Sequence, residues 1–281
     1  MLVTLLANSW QQLSESLSYS FMQRAVLGGM IVGALGGGLG SLAVVRQFSF
    51  FSHTVSHAAL LGVVISAALG WDPTWVLLPF TVVFGVGVLL LIRTTGLWSD
   101  TVLNLTFSGS LAVAVIGLSG LPGYRGNLNR VLFGDILAIQ DQDIWLSLAI
   151  LIIALGLMTV TLRPHLVVIL HEGMAKAQGI PIPLYDLGFG VLLSLGVAVA
   201  TKAVGVLLVN AFLVIPAATS RLLSRQFGQF IGMAMLGGAG SAVMGILVAG
   251  ILNWPAGPSV VVAQIGLFGL ALGYRWVGGG G

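Results

Sequence analysis

Long apolar stretches alternate with short polar breaks along almost the whole of this 281-residue chain. Windows long enough to cross about 30 Å of hydrocarbon fall near residues 22–45, 55–70, 74–93, 101–121, 144–163, 184–201, 204–222, 229–252 and 259–276. Helices are the elements these windows predict, because a backbone in lipid must satisfy its own N–H and C=O groups. The expected fold is an all-α, polytopic membrane helix bundle with nine crossings. The number falls to eight if the sixth and seventh windows, parted only by Lys202 and its neighbours, act as one. The window 55–70 is short enough to be a broken or partly re-entrant helix. No solenoid-type repeat or linker divides the chain, so it reads as a single membrane domain over 1–281, with a polar N-terminal segment over 1–20 and a disordered glycine tail over 277–281.

Composition strengthens this picture and narrows the chemistry. Hydrophobic residues make up 57% and charged residues 7%, against roughly 25% charged in soluble domains. No basic segment precedes Met1 to Leu6 and a polar run follows from Asn8 to Ser20, so a cleaved signal peptide is not expected and the first span serves as its own targeting signal. A net charge of +3, dispersed along the chain, offers no footprint for nucleic acid. The basic residues instead report orientation. With nine alternating spans and a cytoplasmic C-terminus, Arg46, Arg93, Arg163, Lys176, Arg221, Arg225 and Arg275 fall inside, and Arg24, Arg125, Arg130 and Lys202 outside, in the sense of the positive-inside bias; this puts the N-terminus outside, and an eight-span chain would reverse it. Gly29, Gly33 and Gly37, with Gly36 and Gly40, recur at the four-residue spacing that lets helix backbones approach closely in lipid. Cysteine is absent, which removes disulfides and thiolate ligands.

Within the apolar sequence stands His53-Thr54-Val55-Ser56-His57. Residues i and i+4 share one helix face, so the two imidazoles can converge on a transition-metal ion, form a proton relay, or hydrogen-bond across a helix interface. Ser52, Thr54 and Ser56 offer hydroxyls that could orient the rings from behind. An intramembrane zinc protease would need a glutamate directly after the first histidine, where this chain has Thr54. The eight acids fall in loops or at span ends, which weakens the case for a proton-coupled carrier. Both lysines, Lys176 and Lys202, lack the preceding glycine of a phosphate-binding loop. The chain therefore cannot be a P-loop ATPase, and any ATP must be hydrolysed by a partner. From His171 to Pro181 runs a polar, short-helix-like segment closed by Gly179 and Pro181, either a solvated loop or a docking helix for a cytoplasmic partner. His165 and His171 read as ordinary loop histidines.

Four segments carry a family resemblance. Arg46 to Gly62, with Phe50-Phe51 and Ser56-His57-Ala58, resembles a segment of the form arginine, aromatic pair, Gly-Asp-x-x-x-His-Ala. Leu132-Phe133-Gly134-Asp135-Ile136-Leu137, the Ala175 to Pro181 segment, and Val204 to Leu208 with Pro216 to Thr219 and Arg221 follow in order. From about Phe21 to Trp276 the chain thus resembles the membrane permease subunit of bacterial ABC importers for zinc, manganese or iron, most nearly the zinc-uptake permease. The resemblance implies a multi-pass protein of the bacterial plasma membrane that pairs with a second copy as a homodimer. Cytoplasmic ATP-binding subunits would dock on Glu172, Gly173, Ala175, Lys176, Gly179, Ile180 and Pro181, and an extracytoplasmic metal-binding protein would deliver the ion. No cofactor would be held permanently; the metal, Zn2+ or Mn2+, is cargo. One departure is informative: where the family commonly has aspartate in the metal pathway, this chain has His53, and Ser52 replaces the preceding glycine. His57 carries over directly, His53 as a changed ligand. Paired imidazoles suit zinc better than manganese, so zinc is the expected cargo, with manganese or iron, or an autonomous metal carrier or channel, as the alternatives.

Overall fold

The computed structural model describes residues 18–120 and 132–278. Among these residues there is no strand. Ten helices follow one another: α1 Ser20–Val45, α2 Ser49–Leu69, α3 Pro73–Thr95, α4 Ser99–Ser119, α5 Asp141–Leu170, α6 Glu172–Ala177, α7 Ile182–Val204, α8 Val209–Leu223, α9 Phe227–Leu252 and α10 Ala256–Gly278. Eight are long and apolar enough to cross a membrane; α8, with 15 residues, is a shorter apolar helix. Their ends carry ordinary stop and start chemistry. Gly70 and Gly96 close α2 and α3 in the left-handed conformation that glycine adopts without steric cost. Asp72 caps α3 by accepting from the Thr74 amide at 2.8 Å, and the Thr74 bonds hold its carboxyl below the usual range. Gln140 and Asp143 form a capping box at the start of α5.

Glycine sets the packing of the centre. Helices α1 and α9 run antiparallel, with Gly33 against the Gly238 backbone and Gly37 against that of Ala234. A Cβ at either position would collide with the opposing carbonyl. On the same helix Gly36 and Gly40 receive the backbone of α8 at Phe212 and Leu213. Dispersion contacts between closely approached backbones hold such interfaces, since lipid offers no hydrophobic drive between helices. α1, α2 and α7 are the most enclosed spans, while α4 and α5 turn most of their surface outward.

Three expectations change. The second span is an unbroken helix from Ser49, six residues earlier than its hydropathy suggests. Its polar start is compatible with a helix because Ser52, Thr54 and Ser56 donate to the carbonyls of Ser49, Phe50 and His53 at 2.7, 2.9 and 2.8 Å. The seventh window is helical only from Val209. Before it, Gly205 (φ 85) meets Gly134 (φ 70) backbone to backbone, and the Leu207 amide donates to the Leu132 carbonyl at 3.1 Å, so buried non-helical backbone is satisfied by a second loop. Finally, α10 continues through residues 277 and 278, where a tail was expected; residues 1–17 and 279–281 lie outside the described residues.

Polar contacts sort the two ends of the bundle. Arg46, Arg93 and Asp186 meet at one end. At the other, Lys202 Nζ donates to Asp143 and Thr74 at 2.7 Å each, and Arg24 stands 3.8 Å from Asp141. Ser220 donates to the carbonyl of Phe230 at 2.6 Å, which joins the C-terminal part of α8 to the start of α9 at the Arg46 end.

Candidate metal site and docking segment

His53 and His57 lie in the second and third turns of α2, with ring centroids 4.5 Å apart and planes at 63°. Both are half-buried, and with Leu61 and Ile65 they form a single partly open stripe on the otherwise buried stretch 51–66 of the helix. Four-residue spacing makes that stripe, because i and i+4 stand one above the other. Phe107 of α4 forms its wall, stacked on His53 at 5.3 Å and edge-on to His57 at 4.9 Å, while Phe50 lies 5.9 Å from His53 on its own helix. The aromatic wall holds both rings toward the open side. The expected hydroxyl support for the imidazoles is not what these residues provide. Ser52, Thr54 and Ser56 engage backbone carbonyls, and Ser52 also donates to Asn210 Oδ1 at 3.0 Å, tying α2 to the start of α8.

Two nitrogen donors do not close a metal site, since structural zinc is held by four ligands. Among the described residues no third His, Cys, Asp or Glu joins the pair. Chemically the stripe presents two neighbouring imidazoles, 4.5 Å apart between ring centroids.

The segment singled out between the fifth and sixth windows folds as a six-residue helix. Glu172 and Lys176 pair at 2.7 Å across one turn, which holds the Glu172 carboxyl below the usual range. Ala175 is the buried anchor, with Glu172, Gly173, Lys176, Gly179 and Pro181 exposed and Ile180 partly so. Its end is a tight reversal: the Ile180 amide returns to the Ala175 carbonyl at 3.0 Å, and Gly179 takes φ 72. Met174 projects outward, 55% exposed. A short, polar, firmly terminated helix with an exposed apolar side chain is suited to contact another protein.

His165 is not a loop histidine: it lies within α5, immediately after Pro164, and is 4% exposed. Its Nδ1 is 2.8 Å from Arg46 Nη1. An arginine can only donate, so Nδ1 accepts and the ring is neutral with its proton on Nε2. Arg46 also pairs with Asp186 and lies against the rings of Phe48 and Phe189 at 5.5 and 5.7 Å. Burial pulls its pKa down and Asp186 opposes that shift. This cluster was missed because Arg46 lies 119 residues from His165 and 140 from Asp186. The available signal was an arginine and an aspartate each at a span end on the same expected side.

The family model described as the ABC 3 transport family matches residues 18–275. The manganese transport system membrane protein MntC of Listeria monocytogenes is 30% identical over 91% of this chain and 91% of its own length. The high-affinity zinc uptake system membrane protein ZnuB of Haemophilus influenzae is 30% identical, covering 88% of this chain and 95% of its own. Among solved structures, a chain of PsaBC from Streptococcus pneumoniae in complex with Fab superposes with a TM-score of 0.83 at 29% identity, covering 93% of this chain and 94% of that one.

Proposed function

We propose, on the premise that this chain belongs to the ABC 3 transport family, that it is the membrane permease subunit of a bacterial importer for a divalent transition metal. The observation that carries this reading is the pair of half-exposed imidazoles, 4.5 Å apart, inside a multi-pass bundle. An ion crossing lipid needs donors to replace part of its water shell, and charged or ligating groups in spans are costly enough to imply use. With two donors per chain, a second copy facing the histidine stripe supplies the rest, and the path runs between the two copies.

The energy comes from outside the chain. Lacking a phosphate-binding loop, the permease takes ATP-binding subunits on α6 and the reversal that follows it. Among the described residues Arg46, Arg93, Arg163, Lys176, Arg221, Arg225 and Arg275 lie toward one end of the bundle, and Arg24 and Lys202 toward the other, while Arg125 and Arg130, expected with these two, lie outside the described residues; the positive-inside bias supports a cytoplasmic Arg46 end. A binding protein delivers metal at the Lys202 end. The cargo is zinc or manganese. Paired nitrogen donors favour zinc, whereas relatives named for manganese favour the harder ion.

The test is ATP-driven uptake of zinc and manganese, separately and in competition, into proteoliposomes holding this chain with its ATPase subunits and binding protein. Uptake of either ion that requires ATP, and is lost when the ATPase subunits are left out, supports the reading. ATP-independent flux through this chain alone would replace it with an autonomous carrier or channel.

A further inference from the structure

The docking segment and the imidazole pair lie on different elements, and one partly buried ion-pair cluster joins them. Arg46 sits in the turn between α1 and α2, its side chain 4% exposed. One arm of its guanidinium donates to His165 near the end of α5, and the other grips Asp186 in the second turn of α7. Asp186 also stands 3.8 Å from Arg93 at the end of α3, whose guanidinium donates to the Pro183 carbonyl at 2.5 Å. Since α6 links the end of α5 to the start of α7, both flanks of the docking segment are held by the same arginine.

The link from Arg46 onward is short and stiff. The Phe48 amide returns to the Ala43 carbonyl at 2.7 Å, Gln47 takes φ 59, and Phe48 packs edge-on to Phe51 and Phe189 at 5.6 and 5.4 Å. Ser49 then begins α2, and His53 follows one turn later. Beside the cluster the flanks of α6 are not packed tightly together. A cavity of about 300 Å³ opens between α5 and α7, lined by Met158, Thr161, His165, Tyr185 and Phe189 among others. Pro164, which cannot donate to the preceding turn, softens α5 at the same level. Room to move and a polar clamp thus occur together.

We propose that the Arg46, His165, Asp186 and Arg93 cluster is the transmission link of the permease: displacement of α6 by the ATPase subunits reaches the helix carrying His53 and His57 through the guanidinium of Arg46. This rests on the reading of α6 as the ATPase contact and of the stripe as part of the metal path. Asp186 and Arg46 are then positioning residues that touch neither metal nor nucleotide. A fork holding two acceptors in fixed directions transmits direction as well as distance, which a lysine cannot reproduce.

The experiment uses the complete complex in proteoliposomes and reads metal ions moved per ATP hydrolysed. Asp186→Asn is expected to lower that ratio several-fold while ATP hydrolysis continues and the ATPase subunits still co-purify. Asp186→Glu, which keeps the carboxylate, restores part of the ratio. Because removing one partner of a buried pair is destabilising, Arg46→Lys is the second variant; it keeps the cation and loses the fork, and is expected to lower the ratio too. An unchanged ratio in an assembled variant overturns this inference alone. Transport and hydrolysis falling in equal proportion also overturns it, since the ions moved per ATP are then unchanged and coupling is intact. A wild-type complex that hydrolyses ATP and moves no metal overturns both this link and the functional reading.

Discussion

A single histidine in a span has many structural explanations; a second one on the same face, with both rings against Phe107 and half-open, has far fewer. His57→Ala removes one of two nitrogen donors without touching the cytoplasmic surface. Uptake should fall by at least about tenfold, the lower bound seen when even an outer partner of a metal ligand is lost, while the ATPase subunits still bind. Uptake at the wild-type rate in a normally inserted variant would remove the stripe from the path. His53→Asp exchanges a nitrogen donor for an anionic oxygen, which favours the harder ion although the natural affinity order still disfavours manganese. The ratio of zinc to manganese uptake should therefore drop without reversing, measured where delivery by the binding protein is not limiting. An unaltered ratio would mean that His53 does not discriminate between the two. The pair itself was legible because its geometry is local, fixed by a four-residue spacing. The role of Ser52 was not: its bond to Asn210 spans 158 residues, and only tertiary structure brings those groups together.

At the scale of elements, hydropathy found the spans and misjudged their ends. Ser52, His53 and Thr54 lower the local average but are helical, because the Ser52 and Thr54 hydroxyls fold back on the carbonyls of Ser49 and Phe50. Val204 to Leu208 raise the average but are not all helical, because Gly205 and Gly134 pack two loops against each other. Neither outcome follows from an average over a window, since both depend on where backbone hydrogen bonds end. α6 was legible as a short polar helix from its closing Gly179 and Pro181, and the structure gives the glycine a physical reason, φ 72. Gly179→Val forces a β-branched residue into that conformation at about 1–3 kcal/mol and distorts the reversal between Ala175 and Ile180. ATP hydrolysis should then proceed with reduced metal uptake, while metal binding to the complex is unchanged. Fully coupled transport in this variant would move the ATPase contact to another surface.

On the scale of the whole molecule, the alternation of spans and the distribution of basic residues specify an orientation, and the polar clusters at the two ends give it a framework. Arg46, Arg93 and Asp186 at one end and Lys202, Asp143 and Thr74 at the other anchor α3 and α7 at both ends. These partners were not legible in advance, because each pair is separated by tens of residues or more. Charge alone assigns each cluster an expected side of the membrane, which labelling can test. Because the chain has no cysteine, single introduced thiols are clean reporters of side. Met174 in α6 and Trp254 between α9 and α10 are both 55% exposed, and they belong to opposite ends of the bundle. In right-side-out membrane vesicles a membrane-impermeant maleimide should label Trp254→Cys at once and Met174→Cys only after the membrane is opened. Binding of the ATPase subunits should then protect the Met174 position and leave the Trp254 position reactive. The reverse labelling pattern would turn the bundle over, place α6 outside the cell, and separate it from any source of ATP.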